Sequence, residues 1–174
     1  MKTLQQQLIQ YAEYHRDKRN ILTHFVGIPL IVLAVAILLS RPLFSVMGLS
    51  LTPALVVVIV ASIYYLTLDR PLGVAMAVFL GLCLWLATVI AAQTTTTWLC
   101  SGIGLFVVGW IIQFIGHIYE RRKPAFFDDV IGLAIGPLFV AAELAFLLGL
   151  REELQAEVEA AAGPTVIKGQ TEAS

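Results

Sequence analysis

The chain has 174 residues, of which 59% are hydrophobic and 13% charged, and its formal net charge is −1. That balance places it among integral membrane proteins rather than soluble globules, and it lacks the basic surplus that nucleic-acid binding needs, so no nucleic-acid partner is expected. Apolar and polar residues do not alternate along the apolar runs, which excludes a transmembrane barrel.

Residues 1–20 are polar and mixed in charge, with no short apolar core or small-residue cleavage site, so they do not read as a cleavable signal peptide. Residues 3–19 predict an amphipathic helix at the membrane surface. Thr3 and Gln6 have capping-box spacing. Leu4, Leu8, Tyr11 and His15 step by four, three and four, so they share one face, turned toward the bilayer or the bundle.

Five apolar runs are long enough to cross a bilayer: residues 21–39, 47–68, 73–92, 98–118 and 130–150. Arg41-Pro42, Asp69-Arg70-Pro71, the threonines at 94–97 and the stretch 120–129 separate them. The expected fold is therefore all-α, a polytopic membrane helix bundle of about five transmembrane helices plus the N-terminal interfacial helix. Residues 1–150 form a single membrane-embedded domain in this reading. Residues 151–174, rich in Glu152, Glu153, Glu157 and Glu159, form an acidic tail expected to be disordered. Cys83 and Cys100 lie in or beside apolar runs without metal-ligand spacing and read as buried thiols rather than a disulfide framework.

Basic residues orient the bundle. Lys2, Arg16, Lys18, Arg19, Arg70, Arg121, Arg122 and Lys123 fall on one side, against Arg41, Arg151 and Lys168 on the other. This distribution predicts a cytoplasmic N-terminus, in a bacterial inner membrane or, for a eukaryotic chain, the membrane of the endoplasmic reticulum. With five crossings the acidic tail falls outside.

The chain has three histidines, His15, His24 and His117. Two precede or open the first crossing and one closes the fourth, so an even number of crossings returns all three to one membrane face. Imidazole is the commonest protein metal ligand, and three can hold an ion with positions left open. Nine residues on one continuous helix would put His15 and His24 on opposite faces, so convergence requires a break, expected at 17–20 with Asn20 capping the first crossing. Gly109, Gln113, His117 and Glu120 form a polar stripe on the fourth crossing, where polar groups usually face the bundle interior. Hydrogen bonding between helices would also explain Gln113 and His117. Glu120 reads as a fourth ligand, as a carboxylate fixing an imidazole tautomer, or as a charged helix end. Arg121, Arg122 and Lys123 read as topology determinants or as a site for an anionic head group. Glu143 lies too deep to ligate the ion and reads as a protonated or paired carboxylate.

The segment Tyr11-Ala-Glu-Tyr14-His15, followed by Asn20, His24, Gly27 and Pro29, resembles the N-terminal signature of the membrane 2-hydroxy fatty acid dioxygenases of fatty-acid α-oxidation, a family with yeast and bacterial members. Gly109-Trp110-Ile-Ile-Gln113-Phe114-Ile-Gly116-His117 with Glu120 and Lys123-Pro124-Ala125 resembles its second signature, and Gly136-Pro137 with Glu143 a weaker third. The resemblance covers about residues 4–150. It implies a non-haem Fe(II) enzyme that shortens a 2-hydroxy fatty acid by one carbon using O₂, with His15, His24 and His117 as catalytic ligands. Tyr11, Asn20, Gln113, Glu120 and Arg121 would then bind substrate or support the ligands, and membrane lipid would surround the protein. From the residues alone two other functions stay open: a zinc-dependent lipid hydrolase on the same three histidines, and a non-catalytic lipid-binding protein whose histidines tie helices together.

Overall fold

The computed structural model describes residues 2–41, 43–46, 49–122 and 131–168. Among them are seven helices: α1 Leu4–Ala12, α2 Lys18–Leu39, α3 Pro53–Leu68, α4 Arg70–Ala91, α5 Thr95–Glu120, α6 Gly132–Leu147 and α7 Glu152–Ala162. The protein is all-helical apart from a small antiparallel hairpin, β1 Phe44–Val46 with β2 Leu49–Leu51, in the register Phe44↔Leu51. The expected boundary at Pro42, the start at Met47, the basic Lys123 with Pro124-Ala125, and the start at Val130 lie outside the described residues, as does everything after Lys168.

By length and apolarity α2, α4 and α5 can each cross a membrane, and α6 with α7 makes a bent pair that passes the same test together. The apolar α3 is 16 residues long. The second apolar run is shorter than its sequence suggests because the hairpin occupies its first residues and Pro53, capped by the Thr52 hydroxyl, opens the helix. Large apolar side chains such as Val60, Val78, Leu82, Trp85, Ile118 and Leu147 stand exposed on these helices. In water such surface would be a liability, whereas in hydrocarbon it is the expected exterior of an integral membrane protein.

The chain forms two compact units, Pro29–Trp110 and Met1–Ile28 with Ile111–Ser174, with the divisions falling inside α2 and α5. In the first, α3 and α4 make a hairpin around Asp69, whose carboxylate accepts the Leu72 N–H at 2.9 Å and starts α4 where α3 ends. Ala36 and Ile37 of α2 pack with Cys83 and Ala87 of α4, flanked by Phe79, Trp98 and Leu105. The Trp98 indole donates to the Ile37 carbonyl at 2.7 Å and lies under the Arg41 guanidinium.

The second unit carries all three histidines. Its α1 has the Thr3–Gln6 capping box and buries Leu4, Leu8 and Tyr11 together with Gln7 and Ala12. The buried face rests on α6 and α7, so α1 is a packed element as well as an amphipathic one. α6 ends in a Schellman turn: Gly149, at φ 68, donates to Phe146 and Leu150 donates to Ala145. Arg151, at φ 64, completes the bend, and α7 leaves at 116° to α6. Glu152 and Glu153 favour the positive end of α7, while Leu154 and Val158, one turn apart, bury its inner face.

The structure departs from the sequence reading at the tail. In place of a disordered stretch from 151, residues 152–162 are helical because Leu154 and Val158 find an apolar surface to cover. The chain beyond α7 then returns to the junction between α1 and α2. Lys18 N–H donates to the Val166 carbonyl at 2.8 Å and Val166 N–H to the Arg16 carbonyl at 2.9 Å, a parallel bridge of Asp17 with Val166. Lys168 therefore lies on the histidine side, paired with Glu120, rather than across the membrane from it.

Candidate metal centre

α1 stops at Ala12 and α2 starts at Lys18, and the bend between them lets His15 and His24 meet. The break thus lies a few residues earlier than expected. Asp17 is the residue that caps α2: its side chain accepts the Arg19 N–H at 2.8 Å and its carbonyl the Ile21 N–H at 3.1 Å. Asn20 is inside the helix instead, and its polar groups are free for the site.

His15, His24 and His117 are 0, 2 and 7% exposed. Their ring centroids are 4.6 Å (His15–His24), 5.1 Å (His15–His117) and 5.2 Å (His24–His117) apart. One nitrogen of each ring lies within 4.8 Å of the other two. The His15 Nδ1–H donates to the Tyr11 carbonyl at 2.7 Å and the His24 Nδ1–H to the Asn20 carbonyl at 2.8 Å. A carbonyl only accepts, so each bond fixes the proton on Nδ1 and leaves Nε2 with its lone pair. His15 Nε2 and His117 Nδ1 are buried without a hydrogen-bond partner. Three imidazoles bound to one ion at about 2.0–2.2 Å hold their nitrogens roughly 3–4 Å apart, so this arrangement fits a single metal ion. Burial, foremost, and the neighbouring His24 push the His15 imidazole well below its ordinary pKa, so it stays neutral as a ligand must.

The rings are held from several directions. Tyr11 stacks flat on His15 at 4.1 Å, and Phe139 of α6 packs on both at 4.9 and 5.7 Å. Gly116 lets α5 approach α2: a Cβ there would collide with Thr23 Oγ1 and lie 2.5 Å from Asn20 Oδ1. Gln113, one turn before His117, is 4% exposed, and neither atom of its amide has a partner. Asn20 Oδ1 is likewise buried and unpartnered.

Glu120 neither joins the ring cluster nor hydrogen-bonds an imidazole. Its Oε2 accepts from Arg16 N–H at 3.0 Å, Asp17 N–H at 2.8 Å and the Asn20 amide at 3.0 Å, and its Oε1 pairs with Lys168. It organises the α1–α2 junction from which His15 and His24 project. Glu143 is paired with Arg16 at 3.3 Å, the alternative its depth suggests. Arg121 is exposed at the end of α5 with φ 56. Arg122 reaches back to the Glu13 carbonyl and lies 4.6 Å over the Tyr14 ring. Sequence spacing missed Asp17, Arg16 and Lys168, whose partners lie as far away as 151 residues along the chain.

A membrane-embedded helical protein with a buried cluster of three histidines is the class that fold and site define. The sequence profile of the Mpo1-like family, described as 2-hydroxy-palmitic acid dioxygenase Mpo1-like, matches residues 1–148. The chain is 35% identical over 158 residues to the 2-hydroxy-palmitic acid dioxygenase MPO1 of Saccharomyces cerevisiae, covering 90% of this chain and 87% of the yeast one. The chain belongs to the Mpo1-like family. No solved structure matches it.

Proposed function

We propose that this protein is a 2-hydroxy fatty acid dioxygenase that uses Fe(II) held by His15, His24 and His117. The observation that carries the reading is the meeting of three buried imidazoles, one nitrogen of each lying within 4.8 Å of the others. The activity for which the yeast relative is named supports the substrate class. The overall reaction balances without an added reductant: a 2-hydroxy acid and O₂ give the acid one carbon shorter, CO₂ and water. Iron in this donor set supplies Lewis acidity toward a hydroxy-carboxylate and the redox capacity that O₂ chemistry requires.

The protein's own groups then have defined tasks. The Tyr11 and Asn20 carbonyls fix the tautomers of His15 and His24 and present their lone pairs inward. Tyr11 and Phe139 wall the cluster and keep water from it. The Gln113 amide offers one donor edge and one acceptor, matching the carboxylate and hydroxyl of the substrate head. The acyl chain stays among apolar helices. In this reading the histidine side is cytoplasmic.

The test is mass spectrometry of products after incubation of the purified protein with 2-hydroxypalmitate, Fe(II) and O₂. The one-carbon-shorter acid is expected, lost on chelation or exclusion of O₂. His24→Ala should abolish turnover in a folded protein. Gln113→Ala should retain part of it, an about 10–100-fold loss in keeping with removal of an orienting group. Full activity of His24→Ala, or O₂-independent turnover supported by zinc, would overturn the assignment.

A further inference from the structure

Glu120 is 1% exposed, and a carboxylate so placed needs a counter-charge as well as N–H donors. The Arg16 guanidinium faces Glu143 and that of Arg19 faces Asp17, so among the described residues Lys168 is the cation paired with Glu120. Lys168 lies beyond the segment that the family profile matches. It is delivered by residues 163–168, which are anchored independently of its ammonium group. Gly163 O accepts from Arg16 at 3.0 Å, Val166 is bonded to both Arg16 and Lys18, Lys168 N–H donates to Asp17 at 3.0 Å, and Lys168 O accepts from Arg19 at 2.9 Å.

We infer that Lys168 is a positioning residue of the histidine cluster, carried on a C-terminal strap and acting through Glu120 on the bend that sets His15 against His24. The Lys168 ammonium holds Glu120, and Glu120 Oε2 holds the backbone N–H groups of Arg16 at 3.0 Å and Asp17 at 2.8 Å and the Asn20 side-chain amide at 3.0 Å, all at the bend between His15 and His24. Without the ammonium the buried carboxylate takes up a proton or turns toward water, and either change weakens its hold on the Arg16 and Asp17 N–H groups. His15, next to Arg16, then loses its fixed placement against His24. The inference rests on the metal-binding reading above.

Co(II) titration of the metal-stripped full-length protein in detergent, followed by visible absorption, tests it apart from turnover. Lys168→Met should weaken Co(II) affinity about 10–100-fold, the usual effect of losing a partner behind a metal ligand. Lys168→Arg, which keeps the charge, should recover most of that loss. Amide exchange at Val166 should stay slow in Lys168→Met, since the strap's backbone anchors remain. In a Glu120→Gln background there is no buried charge to balance, so Lys168→Met should cost little there. That pair of variants decides the matter even where the single variant folds poorly. Unchanged affinity in folded Lys168→Met, or an equal loss in both backgrounds, would overturn the proposal. Wild-type protein without histidine-dependent Co(II) binding would instead overturn the metal reading on which it rests.

Discussion

A metal-ligating histidine must be neutral, and at His15 the fold enforces this chiefly by burial. The same burial has a cost that pH reveals. With its pKa lowered well below 6.5, His15 remains unprotonated in the folded protein while the unfolded chain takes up a proton as pH falls through 6.5. Stability is therefore undiminished by this group above 6.5 and falls as pH drops below it, with a slope of about 1.4 kcal/mol per pH unit for one proton. Asp17 behaves differently. The Arg19 guanidinium beside it holds its carboxyl at about 2 against an ordinary 3.8, so its contribution is complete above 3.8 and is lost only as pH falls toward 2. Metal-free protein should thus melt at a lower temperature near pH 5 than near pH 7.5, and His15→Gln should flatten that dependence. An identical pH dependence in His15→Gln would contradict this account of His15.

At the scale of elements, the site depends on how closely α5 can lie against the start of α2. Gly116 sets that distance, because the space a Cβ would need is already filled by Thr23 Oγ1 and Asn20 Oδ1. Both are short side chains, and Asn20 is tied to Glu120, so neither yields readily. Gly116→Ala should destabilise the protein by about 1–3 kcal/mol, as overpacking does, and should push the Asn20 side chain from its place against Glu120. A thermal melt together with Co(II) affinity checks it: a variant unchanged in both would show that the helices can part without consequence. Periodicity made much of this element legible from sequence. The steps between Gly109, Gln113, His117 and Glu120 select one face of α5, and all four are buried. The α1 face and its capping box were readable for the same reason, local spacing. The exact break between α1 and α2 was not. Asn20 and Asp17 are equally good caps by residue type, and the choice was made by Glu120, a residue 100 positions away that draws the Asn20 side chain into the site.

Across the whole chain, hydropathy separates membrane from water but says little about a helix that turns back. The run at 130–150 has enough apolar residues to cross. Its described helix, however, ends at Leu147 in a turn built on Gly149 and Arg151, and α7 departs at 116°. The acidic face of α7 masked its two inward apolar residues, so composition alone read the segment as a tail. Among the described residues three helices are long and apolar enough to cross, or four if the bent pair is one span. Residues 163–168 are hydrogen-bonded to Arg16, Asp17, Lys18 and Glu120, so they share a membrane side with the end of α1. Glu13 and Thr165 are both exposed and suit single-cysteine labelling in a background lacking Cys83 and Cys100. In sealed vesicles of known orientation, a membrane-impermeant thiol reagent should reach Glu13→Cys and Thr165→Cys from the same side. Labelling from opposite sides would restore a fifth full crossing, and it would part Lys168 from Glu120 by the thickness of the bilayer.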